Sequence, residues 1–168
     1  TKGIYIYDGN KNAFFYLKSK NKHLNEFLQG NISKIVATNN GYWFINDSFL
    51  VGFKINGDFK IIENTIKIIK NKIDSNYTTI IEDSSHNLWL GTDQGQIFIF
   101  DHHTIETINF PNYSNNITIN DMALDASNTL WIATDGNGLF RLNLKNHKVS
   151  HYKRETLNSQ TINNNIVL

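Results

Sequence analysis

The 168 residues contain no cysteine. Disulfides, thiolate zinc sites and thiol nucleophiles are therefore excluded. One proline and ten glycines are few for a chain that must turn often. Asparagine takes over much of that duty, because it tolerates the left-handed region and bonds to its own backbone. Charge of one sign is also missing: 16 Lys and Arg face 15 Asp and Glu, a formal net charge of +1. The lysines are scattered, so nothing electrostatic points to nucleic acid or an anionic membrane as partner. No apolar run approaches the roughly 18 residues that span a bilayer as a helix. The opening "TKGIYIYDG" has neither a charged n-region nor an h-region, so no signal peptide is expected within this chain.

What is present is a repeat. "HNLWLGTDQGQIFIFD" at 86–101 returns as "NTLWIATDGNGLFRLN" at 128–143, with Trp89 and Trp131 standing 42 residues apart. The same offset aligns Asp83 with Asp125, Thr92 with Thr134, Asp93 with Asp135 and Phe98 with Phe140. A looser copy, "GYWFIND", places Trp43 46 residues before Trp89, with "KIVA" matched to "IIED". The chain opens on "GIYIYD", which matches "QIFIFD", and closes on "NNNIVL", which resembles "TINDMAL". Each unit reads as four short β-branched or aromatic runs separated by turn residues. A period near 42 residues fits the roughly 40–50 of propeller blades.

The expected architecture is all-β: a β-propeller fragment of four-stranded antiparallel blades, with about three complete blades and partial blades at both ends. Its divisions are a partial blade at 1–30, blades at 31–76, 77–117 and 118–157, and the first strand of a next blade at 158–168, within one partial propeller domain. The stretch "ENTIKIIKNKIDSN" at 63–76 carries Ile66, Ile69 and Ile73 at helical spacing. A long outer strand running into a loop is the favoured reading. Asn137-Gly138 and Gly95 suit tight hairpins that need positive φ. Asp93 and Asp135, which open these turns, are expected to accept from amides two residues on. Each Trp is expected to wedge between neighbouring sheets.

Candidate chemistry is sparse. Asp101, His102 and His103 invite a metal reading, yet adjacent residues on an extended strand diverge, and the position is that of a turn. His86, His147 and His151 fall in turns or strand ends. Asp135-Gly136-Asn137-Gly138 opens like a calcium loop but runs directly into the apolar strand "LFRLN", without the further oxygen ligands and bidentate Glu. Glu82 beside Asp83 could be an acid–base pair, but only the Asp recurs in the next unit. No nucleophile elbow, phosphate loop or HExxH pattern occurs. Trp43, Trp89 and Trp131 could stack on sugars; recurrence in register favours core instead. Non-repeating loop groups such as Tyr113, Asn115 or Tyr77 suit a sugar better. Arg141 and Arg154 are the only arginines, and neither has a His or carboxylate neighbour of catalytic pattern. No catalytic, cofactor or metal residue is assigned, and no ligand-binding residue is fixed.

"LWLGTDQGQIFIFD" and "LWIATDGNGLFRLN" resemble the two-component-regulator propeller repeat. In outline this is an acidic turn, Asn-Leu-Trp-Ile-Gly-Thr, a Gly-rich turn, Gly-Leu-aromatic, and a strand ending in Asp or Asn. "NSQTINNNIVL" resembles the lead-in between its blades. The resemblance is strong over 77–152, moderate at 1–17 and 158–168, and weak over 32–62, where "WFINDSFLVGF" lacks the Gly-Thr-Asp core. It implies a non-catalytic, periplasmic sensing segment of a bacterial hybrid histidine kinase or related regulator, with an oligosaccharide as ligand. Implied partners are neighbouring blades or domains of the same protein and a second copy in a homodimer; no cofactor, nucleic acid or membrane span is implied. The rival readings are a protein-interaction module without a small ligand, and a propeller lyase or hydrolase. Family propellers have about seven blades, so the chain is expected to be a piece of a larger ring and to self-associate when isolated.

Overall fold

The computed structural model describes residues 3–71, 75–108, 116–146, 148–155, 158 and 161–168. It divides into two compact units, Thr1–Lys72 and Ile73–Leu168. The first holds β1 (Tyr5–Asp8), β2 (Ala13–Tyr16), α1 (Lys22–Gln29), β3 (Lys34–Thr38), β4 (Gly41–Ile45), β5 (Phe49–Ile55) and β6 (Ile61–Lys70). The second holds β7 (Tyr77–Glu82), β8 (Leu88–Thr92), β9 (Ile97–Phe100), β10 (Ile105–Ile108), β11 (Ile119–Leu124), β12 (Thr129–Thr134), β13 (Leu139–Asn143) and β14 (Val149–Tyr152). The strands form a two-stranded sheet, β1–β2, and three four-stranded sheets, β3–β6, β7–β10 and β11–β14. Every pairing in them is antiparallel. This is the all-β, propeller-type architecture expected from the repeat, and 61–70 is the long outer strand.

In the first unit Ile4, just before β1, and Ile6 on it pack against Phe44, Val51 and Phe53 of the next sheet, together with Leu17 and helix α1. The helix was not expected. Asn21 caps it by accepting from Leu24 N at 3.1 Å, and it buries Leu24, Phe27 and Leu28. These stand at i, i+3 and i+4, one helical face. At 8 residues the element is too short for its period to rise above the polar residues around it.

The matching of "KIVA" to "IIED" is corrected by one residue. Val36 lies opposite Trp43, as Ile81 lies opposite Trp89. The β3–β4 hairpin is one residue shorter than β7–β8, so Thr38, not Ala37, occupies the place of Asp83. Its hydroxyl accepts from Asn40 N at 3.1 Å, a shorter turn closed by a shorter side chain.

The second unit keeps the repeat down to its irregularities. Both β7 and β11 carry a register shift at the same place, around Thr78 and Asn120. Each bulged residue reaches an adjacent segment: Thr78 Oγ1 donates to Ile119 O at 2.6 Å, and Asn120 Nδ2 donates to Val167 O at 2.8 Å. The C-terminal residues run along the edge of β11–β14, with Asp135 bridging Ile166 and Val167 N donating to Thr134 O at 3.0 Å. Trp89 and Ile97 of one sheet join Ile119, Met122, Leu130, Ile132, Phe140 and Leu142 of the next in one buried cluster. Gly91 permits this approach, since a Cβ there would lie 2.7 Å from Ile119 Cγ2.

Candidate functional site

The repeated acids are structural. Asp83 Oδ1 accepts from Ser85 N and Asn87 N at 2.8 and 2.9 Å, closing the β7–β8 turn. Its Oδ2 accepts from Trp89 Nε1 at 2.8 Å. Asp125 does the same with Ser127 N, Thr129 N and Trp131 Nε1 at 2.9, 3.0 and 3.0 Å. The Trp131 indole and these amides hold the Asp125 carboxyl below the usual carboxylate range. One carboxylate thus fixes a turn and aims the indole that fills the core. Glu82 faces away and meets His86 Nδ1 at 3.1 Å, so the two adjacent acids do not act together.

Asp93 departs from expectation. Its carboxylate accepts not from amides two residues on but from Asn76 N at 2.9 Å and Asn76 Nδ2 at 2.8 Å. It ties the entry to β7 to the exit of β8. The Asn137-Gly138 turn is also corrected: Gly136 and Gly138 hold the positive φ values, +96° and +77°, and Asn137 does not. Thr134 Oγ1 donates to Gly138 O at 2.6 Å, while Gly136 N and Gly138 N donate to Asn165 O. The loop directs backbone amides at a neighbouring carbonyl, the opposite polarity from a cation cage.

Asp101 accepts from Thr104 N at 2.6 Å and His103 N at 2.8 Å, and these amides lower its pKa. His102 Nε2 meets His86 O, and His151 Nε2 meets Asn137 O at 2.6 Å with its ring stacked 3.9 Å from Phe140. Among the described residues no three His, Cys, Asp or Glu are grouped to hold a metal, and no helix is long and apolar enough to cross a membrane. Trp43 and Trp89 are buried; Trp131 is half-buried. Tyr113, Asn115 and His147 lie outside the described residues. Tyr77 is buried and stands edge-on to Phe98, at 6.3 Å, so it is not a loop group offered to a sugar.

Burial pushes the Tyr77 hydroxyl up to about 12. An unfolded tyrosine ionises near 10. The folded value is the higher one, so this stabilisation is whole below about pH 10 and is lost as pH rises from about 10 towards 12. Melting scans between about pH 9 and 11.5 should show a downward slope that Tyr77→Phe reduces.

Open surfaces occur in both units among the described residues. In the first unit an apolar cleft of about 240 Å³ is lined by Ile4, Tyr5, Ile6, Leu17, Ile35, Tyr42, Phe53 and Ile55. It holds no acid or base beyond tyrosine hydroxyls, and suits binding by contact and stacking. In the second unit a hollow of about 70 Å³ lies beside Arg141, Asn143, Asn146, Lys148 and Ser150.

Residues 71–94 match the Two component regulator propeller family. The matched stretch takes in strands β7 and β8 and the turn between them. Among solved structures the chain is similar to the extracellular domain of BT4673 from B. thetaiotaomicron, described both as a one-component and as a hybrid two-component system. The first of these gives 19% identity over 99% of this chain and 22% of that one, with a TM-score of 0.72. PorZ, a surface component of the type-IX secretion system of Porphyromonas gingivalis, gives 18% identity over 90% of this chain and 25% of PorZ, TM-score 0.68. A streptogramin B lyase gives 15% identity over 93% of this chain and 49% of the lyase, TM-score 0.61. At these identities the likeness is one of fold. The chain spans about a fifth of the BT4673 domain. No protein of curated function matches it.

Proposed function

We propose that this chain is a non-catalytic sensing segment of a bacterial two-component regulator, exposed outside the cytoplasm and responding to an oligosaccharide. The observation that carries the reading is the regulator-propeller repeat at 71–94. The likeness to the extracellular BT4673 domain supports the extracytoplasmic placement. The chemistry agrees: the recurring Asp83 and Asp125 are committed to turns and indoles, and the open cleft offers aromatic and apolar contact. Sensing then works by binding that changes how propeller sheets or neighbouring domains are held, since a ligand shifts an equilibrium only through differential affinity for its states.

The test is a thermal-shift and calorimetric screen of oligosaccharides against the complete protein that carries this segment. A true ligand at about 100 times its Kd should add about 2.7 kcal/mol to stability. A screen in which no saccharide shifts the melt, while a protein partner binds tightly, would replace this reading with the protein-interaction module.

A further inference from the structure

Three Asn-Gly pairs stand in turns of the chain, at 40–41, 56–57 and 137–138. Asparagine before glycine is the pair most open to intramolecular attack, because glycine puts no side chain in the way of its own amide nitrogen. The fold treats the three pairs differently. Asn137 is 2% exposed, and Gly138 N already donates to Asn165 O at 2.7 Å. That nitrogen is committed, and the site is closed to water. Asn40 is exposed, but Gly41 pairs with Thr38 at the head of the β3–β4 ladder, with Thr38 Oγ1 donating to Gly41 O at 3.1 Å. Among the described residues nothing donates to the Asn40 side-chain carbonyl.

Asn56-Gly57 is set up for the reaction. It opens the turn between β5 and β6, and both residues are exposed. Phe59 N closes that turn by donating to Asn56 O at 3.0 Å. Gly57 lies inside it, with nothing within 4 Å of where its Cβ would stand. Asn56 Oδ1 accepts from Asp58 N at 3.0 Å and from Lys60 N at 2.9 Å. These two amides draw electrons from the side-chain carbonyl. They also face the oxygen that becomes negative when Cγ is attacked, an arrangement that lowers the barrier. The same bonds fold the side chain over the turn and hold it there, which removes much of the entropy cost of closing a ring onto the Gly57 nitrogen.

We propose that Asn56 is a site of spontaneous modification, converted by its own turn into aspartate and isoaspartate as the molecule ages. The Gly57 nitrogen gives up its proton to hydroxide and bonds to Asn56 Cγ. The adduct collapses, Nδ2 takes a proton from water and leaves as ammonia, and a cyclic imide remains. Water then opens the imide at either carbonyl. One opening gives aspartate; the other gives isoaspartate, in which the main chain runs through the side-chain carbon. Nothing is oxidised or reduced. Each product carries a new carboxylate close to Asp58. The isoaspartate also lengthens the main chain in the turn that holds Phe59 at φ +59°, a left-handed conformation rare for a bulky residue. The Phe59 ring stacks on Phe15 at 5.1 Å, with Lys11 Nζ 5.4 Å from the Phe15 ring and 5.9 Å from the Phe59 ring. The change therefore falls beneath the contact between the β1–β2 hairpin and the β5–β6 turn of the first unit. It is independent of any sugar ligand.

Peptide mapping by mass spectrometry, sampled while the full chain is kept in mildly alkaline buffer, tests it. In the folded protein the peptide with Asn56 should gain the mass of an NH2-to-OH exchange roughly tenfold faster than the peptide with Asn40, the scale of one such hydrogen bond. The peptide with Asn137 should stay unchanged. An isoaspartate methyltransferase should label the Asn56 peptide. In urea the three pairs should react at similar rates, because the lead of Asn56 comes from the turn. Gly57→Ala, which the open space admits, should slow conversion at Asn56 and leave Asn40 as it was; melting curves check its folding. The wild-type comparison stands if that variant melts early. An Asn56 rate in the folded chain no higher than that of Asn40, or a lead that survives in urea, would overturn the proposal.

Discussion

Replacing Trp89 with alanine is expected to destabilise the second unit by about 3–5 kcal/mol, the range for emptying a large aromatic site in a core. The side chain is 4% exposed and sits in the cluster shared by two sheets. Its removal leaves a cavity in that joint and strips Asp83 of its indole donor. Asp83 is itself buried, keeping its turn amides and a 3.3 Å contact from Asn87 Nδ2. Trp89→Phe separates the two effects: most of the packing survives and the bond to Asp83 is lost, for about 1–3 kcal/mol. Trp131→Ala is the internal comparison. It breaks the same bond to Asp125 but empties a half-buried site, so its cost should fall below that of Trp89→Ala. Urea midpoints of the three variants order these effects, and an equal loss for Trp89 and Trp131 would contradict the burial argument.

Gly138→Ala should be almost as damaging. The residue has φ +77°, and a Cβ would stand 2.2 Å from the backbone oxygen of Tyr152 on β14. The left-handed conformation alone costs a side chain about 1–2 kcal/mol, and overpacking adds about 1–3. Gly136 is the control. It shares the loop at φ +96°, but nothing lies within 4 Å of its Cβ position, so Gly136→Ala should incur only the backbone cost. Equal losses at the two positions would show that strain, not the approach of β14, makes glycine necessary at 138.

These contrasts show what the residues disclosed and what they concealed. The period, strand order and burial of Trp43 and Trp89 were legible because the same alternation and the same Trp return in register. Helix α1 was hidden by its brevity: Leu24, Phe27 and Leu28 give one turn of apolar period among polar neighbours. The role of Asp83 was half legible. Its turn bonds follow from a local rule, but the bond to Trp89, six residues on, requires the hairpin to bring the strand back. Asp93 was misread for a related reason, since its partner Asn76 lies 17 residues away across the sheet edge. Tyr77 looked like a loop residue because β7 begins on it, and only the packing against Phe98 shows it is enclosed.

The central claim is that the recurring Asp and Trp build the sheet-to-sheet core and are not a ligand site. Hydrogen exchange of the Trp89 indole proton tests it most directly, read from its own signal in a nitrogen–proton correlation spectrum. Bonded to Asp83 and enclosed between sheets, that proton should exchange only when the unit opens, with the same denaturant dependence as the amides of β8 and β12. Fast exchange under native conditions, insensitive to denaturant, would place Trp89 at an open surface and contradict the account.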